Sequence, residues 1–212
     1  MKLYDSLGLN PKVVRVFMAA KGITIPVEKV DLRAGENRQE AHLKRNPHGQ
    51  MPTLELDDGS NLSEMATICE YLEDKHPKPP LSGSTTEEKA ECRVWTRRVA
   101  FNICEHLANG YRFGEGNDFF KTRVLTAPEA SPGLTAIAQD RLKWLDGQMA
   151  DGREYLCHKR FTPADILLHC SVTIFAKANR SIRPTRILAP GSNASSRLIE
   201  AQSALQRASA RT

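Results

Sequence analysis

The step from Met51 to Pro52 is the feature of the sequence best suited to bind a small peptide-like molecule, because it leads directly into the strand-forming run TLEL. Proline is tolerated in a sheet at an edge or at the first residue of a strand. A cis X-Pro bond costs only about 0.5–1 kcal/mol relative to trans and bends the chain sharply. Such a bend leaves the N–H and C=O of Met51 free to pair with an extended peptide laid alongside. An ordinary proline at a loop-to-strand boundary is the simpler alternative.

Alternating strand and helix signals precede this step and predict the order β-α-β-α. The run KLYDS predicts a strand, and Asn10 followed by Pro11 predicts the N-cap and first turn of a helix that Gly22 ends. The run TIPVEKVDL predicts the second strand, and the polar stretch 34–45 predicts a short irregular helix.

A hairpin and a third helix are predicted after Pro52. The runs TLEL, DDGS and NLS indicate two strands joined by a turn, and Ser63 can cap a helix that runs to about Lys75. The run HPKPPLSGS at 76–84 is rich in Pro, Gly and Ser, which is typical of a linker. These signals predict a first domain at 1–78.

Beyond the linker the periodic signals are helical and predict a second domain at 86–178. Ser84 with Glu87 indicates a capping box. In the run FTPADILL, Thr162 is placed as N-cap with Asp165 positioned to accept a bond from its N–H. Two apolar stripes at helical spacing support further helices: Trp95, Val99, Ile103 and Leu107, and then Ala138, Leu142, Leu145 and Met149.

The net charge of +5 comes from the C-terminal end of the chain. From Arg180 onward there are six Arg and one Glu, which leaves 24 of the 30 basic and 24 of the 25 acidic residues in the first 179 positions. This near-neutral body lacks the basic footprint of a nucleic-acid-binding protein.

The five cysteines are scattered, contain no CxxC pair and are odd in number. We therefore expect reduced thiols in the cytoplasm, with neither a disulfide framework nor a metal site. The sequence has no apolar run of 18 residues, and its start, MKLYDSLGLN, lacks the layout of a signal peptide. We expect no association with a membrane.

Four motifs, in matching order and spacing, resemble the cytosolic glutathione transferases of bacterial type. The run NPHGQMPTL is similar to the Asn-Pro-x-Gly-x-x-Pro signature of that family, and SEMATICEYL is similar to its Glu-Ser-x-Ala-Ile-x-x-Tyr-Leu helix start. The Pro-rich linker with its all-helical remainder, and FTPAD as a buried capping motif, extend the resemblance from Met1 to about Lys177. It implies an α/β plus all-α fold, with a thioredoxin-like N-terminal domain followed by a helical-bundle C-terminal domain.

The resemblance implies that the first domain binds glutathione. The Met51 N–H and C=O, bent by a cis Pro52, would pair with the cysteinyl part of the tripeptide, and Gln50 would contact it from the same loop. Glu64 would bind the γ-glutamyl ammonium through a charge-assisted bond, worth about 1.5–3 kcal/mol when partly dry. The helix that begins there would face the γ-glutamyl carboxylate with its free N–H groups. Alternatively, the Glu64 carboxylate only stabilises its own helix, by interacting with the positive end of the helix dipole.

Two parts of the predicted glutathione site depart from the family pattern or stay open. Met65 stands where the family has Ser, so a hydroxyl donor to the carboxylate is lost, although the Met65 N–H remains and Ser63 or Thr67 can substitute. We expect weaker binding rather than none. The glycyl carboxylate needs a cation, for which the polar stretch offers three candidates: Arg38, His42 and Lys44.

Catalysis in this family requires the glutathione thiol to become a thiolate, because the thiolate is the nucleophile. Lowering a thiol pKa from about 8.5 to about 6.5 takes roughly 2.7 kcal/mol, which one charge-assisted hydrogen bond plus a helix N-terminus can supply. The family places a Ser, Cys or Tyr donor near the start of the first helix. Here that position is Asn10, whose amide can donate to sulfur but is also the predicted cap. Ser6 and Tyr4 are the other candidates, and no cysteine before Cys69 could form a disulfide with glutathione there.

The resemblance also implies an apolar electrophile pocket between the two domains. Its candidate lining residues are His106, Tyr111, Arg112 and Phe113. Core packing or an exposed helix end is an equal alternative for each, and the second substrate is not readable from such a variable pocket.

Residues 179–212 form an atypical tail. Where the family has an Asx-Pro turn and a Trp-bearing helix, the run ANRSIRPTRILAPGSNASSR has no amphipathic period and no aromatic residue. Codons for 178–196, read one base earlier, can encode such a turn and helix. A frameshift near codon 177 is therefore one hypothesis, which sequencing the gene tests, and a disordered tail is the other.

Three functions are compatible with these features. The one we favour is a glutathione transferase that joins the glutathione thiolate to a small hydrophobic electrophile, as in detoxification, and that acts as a homodimer. The second is a glutathione-dependent reductase or peroxidase that uses no protein cysteine. The third is a non-catalytic binding or scaffold protein, which Met65, Asn10 and the tail all allow.

Overall fold

The computed structural model describes residues 1–179, 182–183, 188 and 191–209, without the side chains of 202 and 204–209. It divides into two compact units: the first contains Met1–Pro80 together with the described residues from Glu200 onward, and the second contains the described residues of Leu81–Ile199. None of the described helices is both long and apolar enough to cross a membrane.

A sheet of four short strands organises the first unit. The strands are β1 (Lys2–Asp5), β2 (Val27–Lys29), β3 (Thr53–Glu55) and β4 (Asn61–Leu62). Their order in the sheet is β2-β1-β3-β4. β1 pairs in parallel with β2 and antiparallel with β3, and β3 pairs antiparallel with β4, which confirms the predicted hairpin.

Three helices accompany this sheet: α1 (Leu9–Lys21), α2 (Glu40–Leu43) and α3 (Met65–Lys75). A 3-10 turn at Glu36–Arg38 precedes α2, so the polar stretch is the short irregular helix that the sequence predicts. The apolar faces of the strands and of α1 and α3 form the core, and its fully buried side chains include Leu3, Val14, Phe17, Leu54, Ile68 and Leu72.

Both predicted N-caps in the first unit are wrong, whereas both helix ends are confirmed. α1 begins at Leu9 with Gly8 as its N-cap, because the turn out of β1 has a φ of 115° that favours glycine, and Asn10 lies in the first turn. α3 begins at Met65, and its N-cap is Glu64 rather than Ser63. Gly22, at φ 69°, ends α1 as a left-handed cap.

The second unit is helical, as predicted. Its described helices include α4 (Thr86–Val99), α5 (Glu105–Phe113), α6 (Asn117–Phe120), α7 (Ser131–Gln148) and α8 (Pro163–Ala178). The fold therefore has a thioredoxin-like α/β part followed by an all-α part, which confirms the predicted fold class.

A π-helical turn at Ala100–Cys104 joins α4 to α5. The predicted stripe that crosses it has a spacing of four residues, which exceeds the 3.6 residues of an α-helical turn. The wider π turn takes up this difference, so the stripe stays on one buried face. All eight residues of the two predicted stripes are buried.

The two predicted capping boxes of the second unit have different outcomes. At α4 the box is formed by Thr85 and Glu88, one residue later than predicted, with the Glu88 N–H donating to the Thr85 Oγ1 at 3.2 Å. At α8 the prediction is confirmed, because the Thr162 N–H donates to the Asp165 carboxylate at 2.9 Å.

In the described part of the tail, residues Asn193–Ser209 form a helix, α9, and the character of the tail as a whole stays a prediction. Ala194, Leu198 and Ala201 are buried at helical spacing, and two of them lie beyond the run 178–197 for which the sequence showed no amphipathic period. Tail residues 180–181, 184–187, 189–190 and 210–212 lie outside the described residues, and the frameshift stays a hypothesis.

Candidate functional site

Three chain segments meet at one edge of the sheet of the first unit. β3 lies between β1 and β4, and the register pairs Tyr4 with Thr53 and Leu54 with Leu62. The chain therefore leaves β1, enters β3 and leaves β4 at the same edge. Continuing the register places Met51 and Pro52 between the start of α1 on one side and Glu64 on the other.

The bond between Met51 and Pro52 is cis, as the resemblance implies. The Met51 side chain is buried with Tyr4 and Val30, which holds the bend against the sheet. Among the described residues we find no hydrogen bond to the N–H or C=O of Met51. Both groups are therefore available to an extended ligand.

Buried side chains fix the loop that presents Met51. The Asn37 Nδ2 donates to the Gly49 C=O at 2.6 Å, and the Asn46 Nδ2 donates to the Gln50 C=O at 2.9 Å. The His42 Nε2 lies 3.3 Å from the same Gln50 oxygen. The three side chains are 2–5% exposed, so the loop is held by internal hydrogen bonds rather than by surface contacts.

Two of these positioning side chains, Asn37 and Asn46, were not predicted from the sequence, and the third, His42, was predicted in another role. Asn46 opens the Asn-Pro-x-Gly signature, so its signal was present, whereas nothing in the pattern distinguishes Asn37 from other polar residues. His42 is buried against the loop, and its role as a cation for the glycyl carboxylate stays a prediction.

Arg38 and Lys44, the other two candidate cations, are both exposed. Lys44 forms an ion pair with Glu40 at 2.8 Å. Arg38 donates one bond to the His48 C=O at 3.2 Å, which places it on the loop and leaves other guanidinium donors for a ligand. The Gln50 side chain is also exposed.

Glu64 occupies an unusual backbone conformation at the start of α3, with φ 68° and ψ 119°. A residue other than glycine held in such a region costs about 1–3 kcal/mol, and such residues cluster at functional sites. Its side chain is exposed. The first bond within the helix runs from the Ile68 N–H to the Glu64 C=O at 2.9 Å, so the N–H groups of Met65 and the next two residues precede the helical ladder.

The three candidates for thiol activation have different surroundings. Asn10 is half-buried in the first turn of α1, and no hydrogen bond of its side chain occurs among the described residues, so capping does not compete for its amide. The Ser6 Oγ donates to the Val30 C=O at 2.6 Å. The Tyr4 hydroxyl donates to Glu55 at 2.8 Å, and the residue is 1% exposed. Asn10 is therefore the candidate with an uncommitted donor.

The predicted electrophile-pocket residues His106, Tyr111 and Phe113 lie on α5 and are half-buried. The Tyr111 ring packs 6.3 Å from that of Phe120 and 5.7 Å from that of Phe175, inside the second unit. Their role in a pocket stays a prediction. Within the described part of the chain, no group of three His, Cys, Asp or Glu side chains could hold a metal ion.

A thioredoxin-like unit, in which the N–H and C=O of Met51 have no hydrogen bond among the described residues, is followed by a helical unit. This arrangement defines a two-domain class of proteins. Comparisons with known proteins indicate the family. Residues 10–75 match the model of the glutathione S-transferase N-terminal domain. The structure is similar to that of a glutathione S-transferase domain-containing protein of Marinobacter aquaeolei, with a TM-score of 0.76 and 28% identity over 100% of this chain and 98% of that one.

Two curated relatives agree with this match. Glutathione S-transferase 2 of Saccharomyces cerevisiae is 32% identical over 51% of this chain and 48% of its own length. Maleylacetoacetate isomerase of Pseudomonas aeruginosa is 39% identical over 49% of this chain and 50% of its own length. The chain thus spans about half the length of the curated relatives it matches. Its residues 10–75 belong to the glutathione S-transferase N-terminal domain family.

Proposed function

We propose that this protein is a glutathione transferase that joins the glutathione sulfur to a small hydrophobic electrophile. One observation carries the proposal: the unbonded N–H and C=O of Met51 lie at the same sheet edge as Glu64, which is held at a positive φ. A tripeptide laid along this edge pairs its cysteinyl backbone with Met51. Its γ-glutamyl ammonium then meets the carboxylate of Glu64.

The γ-glutamyl carboxylate is bound by the start of α3. The free N–H groups of the first turn and the positive end of the helix dipole favour an anion there. Met65 contributes its N–H but no hydroxyl, so this end of glutathione binds less tightly than it would with a serine. Arg38 is the proposed partner of the glycyl carboxylate.

Asn10 is the proposed donor to the glutathione sulfur. Its side-chain N–H and the N-terminus of α1 both favour the thiolate over the thiol, which lowers the pKa of the bound thiol. The thiolate attacks the electrophilic carbon, a carbon–sulfur bond forms, and the leaving group departs with its electron pair. His106, Tyr111 and Phe113 are proposed to line the electrophile site. We further propose a cytoplasmic homodimer that acts in detoxification.

Titration calorimetry with glutathione, followed by turnover of a halonitroarene, tests this function. We expect saturable binding, and release of halide that depends on glutathione. Absence of glutathione binding would remove the proposal. Binding without any turnover would favour a non-catalytic scaffold, and turnover only of a hydroperoxide or a small disulfide would favour the reductase or peroxidase.

Isomerisation of maleylacetoacetate is a second candidate activity, because the relative with that name is 39% identical over about half of this chain. It belongs in the same panel of assays. The role of Asn10 is tested by the ultraviolet absorbance of the bound thiolate as a function of pH. We expect the midpoint to rise in Asn10→Ala, and an unchanged midpoint would clear Asn10 of the activating role.

A further inference from the structure

The turn between β1 and α1 carries Asn10 to the edge of the sheet, and little packing surrounds the turn itself. The Leu7 side chain is 68% exposed. Gly8 has a φ of 115°, and a Cβ added to it would meet no atom of the described residues within 4 Å. The position of Asn10 therefore depends on the bonds that join the two ends of this turn.

The end of β1 forms the first fixed point. The Ser6 Oγ donates to the Val30 C=O at 2.6 Å, and the Val30 N–H donates to the Asp5 C=O at 2.8 Å. These two bonds tie the end of β1 to the residue that follows β2. The strand side of the turn is thus held by the sheet.

Arg15 joins α1 to this fixed point. Its Nη1 donates to the Ser6 C=O at 3.0 Å and also to the Asp5 carboxylate. The Asp5 side chain is 0% exposed, and Lys29 is its second cationic partner. Because Arg15 lies on the same helix as Asn10, its two bonds connect that helix to β1 across the turn. They fix the start of α1 relative to the end of β1.

The placement of the Asn10 amide decides how well it can donate to a sulfur. A hydrogen bond weakens steeply as its angle departs from linear, so a small shift of the helix start costs most of the bond. The Arg15 guanidinium is a rigid, permanently charged group, which suits it to hold two acceptors in a fixed geometry.

We propose that Arg15 is a positioning residue for glutathione activation: by holding Asp5 and Ser6 across the turn, it keeps the Asn10 amide in line with the glutathione sulfur. This role rests on the proposed function, in which Asn10 is the donor to that sulfur. Arg15 acts through Asn10 and makes no contact with glutathione itself.

Two cations on the same carboxylate allow position to be separated from charge. Lys29→Gln removes a positive charge from Asp5 but leaves both bonds of Arg15 in place. Arg15→Lys keeps the charge, but the lysine ammonium ends one bond short of Nη1 and cannot bridge both acceptors. A role through charge predicts a change in Lys29→Gln, and a role through position predicts a change in Arg15→Lys.

The ultraviolet absorbance of bound glutathione thiolate as a function of pH measures the effect in the full chain. In Arg15→Lys we expect the midpoint to rise by about one pH unit, because the charge-assisted bond to sulfur is weakened. In Lys29→Gln, whose side chain is 72% exposed in the wild type, we expect a shift below about 0.2 units. The peptide γ-glutamyl-alanyl-glycine, which has no thiol, should bind to both variants as it does to the wild type.

The Asn10→Ala background shows whether Arg15 acts through Asn10. There the further change Arg15→Lys should not move the midpoint, since the donor is already absent. An equal shift in Lys29→Gln, or a wild-type midpoint in Arg15→Lys when Asn10→Ala does shift, would overturn the role of Arg15 and leave the proposed function standing. A wild-type midpoint in Asn10→Ala would remove both residues from activation, and absence of glutathione binding would remove the proposed function itself.

The wild type provides a second test that does not depend on a variant that folds. Proton nuclear magnetic resonance of the guanidinium groups should show separate Nη signals for Arg15, because its two bonds restrict rotation. A single averaged signal would show that Arg15 does not hold the turn and would overturn the proposal.

Discussion

Two regions of the molecule use buried polar side chains to fix an irregular backbone, and they do so with opposite results. In the loop before Pro52, three side chains bind the carbonyls of Gly49 and Gln50 and leave the polar groups of Met51 unbonded. At the start of α8, the Asp165 carboxylate accepts from the Leu156 N–H, the Thr162 N–H and the Thr162 hydroxyl, each at 2.9 Å.

This difference distinguishes a ligand-binding site, the loop before Pro52, from a purely structural contact, the start of α8. Buried backbone groups are nearly always hydrogen-bonded, so an arrangement that fixes the neighbours of Met51 but not Met51 itself is suited to a ligand that supplies the missing bonds. Around Asp165 the bonds are already made, and they contribute to the stability of the second unit. Changes at the first region should therefore alter binding, and changes at the second should alter folding.

Loss of the Asp165 carboxylate should have the largest effect. Asp165→Ala leaves two backbone N–H groups without an acceptor in the interior, and we expect the free energy of unfolding to fall by about 3–5 kcal/mol. Urea denaturation measures this change. Asp151→Ala, which removes an exposed carboxylate paired with Arg153, should give only a small shift. Equal shifts in the two variants would contradict a structural role specific to Asp165.

The pH dependence of stability should report the same carboxyl group. Burial raises the pKa of Asp165 to about 6 in spite of its hydrogen bonds. A raised pKa means that the folded state binds the proton more tightly, so this contribution is complete below about pH 4 and is lost as the pH rises through about 6. We expect a total loss of about 3 kcal/mol between about pH 3 and pH 7, of which about 2 kcal/mol falls between pH 4 and pH 6. Asp165→Asn should lack it, and identical pH profiles for the two proteins would refute the assignment.

Loosening of the loop should mainly weaken glutathione binding. Asn46→Ala removes one of the two side chains that hold the Gln50 carbonyl, and we expect an affinity about tenfold lower, which corresponds to about 1.4 kcal/mol. Titration calorimetry gives this value. Asn61→Ala, in an exposed side chain of β4, should bind as the wild type does. A variant that unfolds more easily yet binds equally well would place Asn46 among the structural residues.

Removal of the backbone strain at Glu64 should have the smallest effect. Stability and glutathione affinity should change in opposite directions. Glu64→Gly accepts the positive φ without a Cβ, so we expect the free energy of unfolding to rise by about 0.5–1 kcal/mol while glutathione binding weakens. Glu64→Ala loses the carboxylate but keeps the strained conformation. It should lose affinity without the gain in stability, and a gain in both variants would argue against strain at this position.

The sequence predicted the type of nearly every element because the hydrophobic pattern follows the core of each unit. It misplaced three of four caps by one or two residues, since the backbone angles at Gly8 and Glu64 leave no periodic signal. The position of Met51 and Pro52 at the start of β3 was predictable from the run NPHGQMPTL. Asn37 and His42 were not recognised as loop anchors, because their bonds to residues 8–12 positions away depend on the folded path of the chain.

The amide hydrogen exchange of Met51, measured by nuclear magnetic resonance with and without saturating glutathione, shows whether the ligand supplies the missing hydrogen bonds of this residue. We expect the free protein to exchange this amide readily and bound glutathione to slow the exchange by at least about tenfold, while the amide of Asp58 in the exposed hairpin turn is unchanged. Saturable glutathione binding with no change at Met51 would show that the ligand does not pair with this backbone.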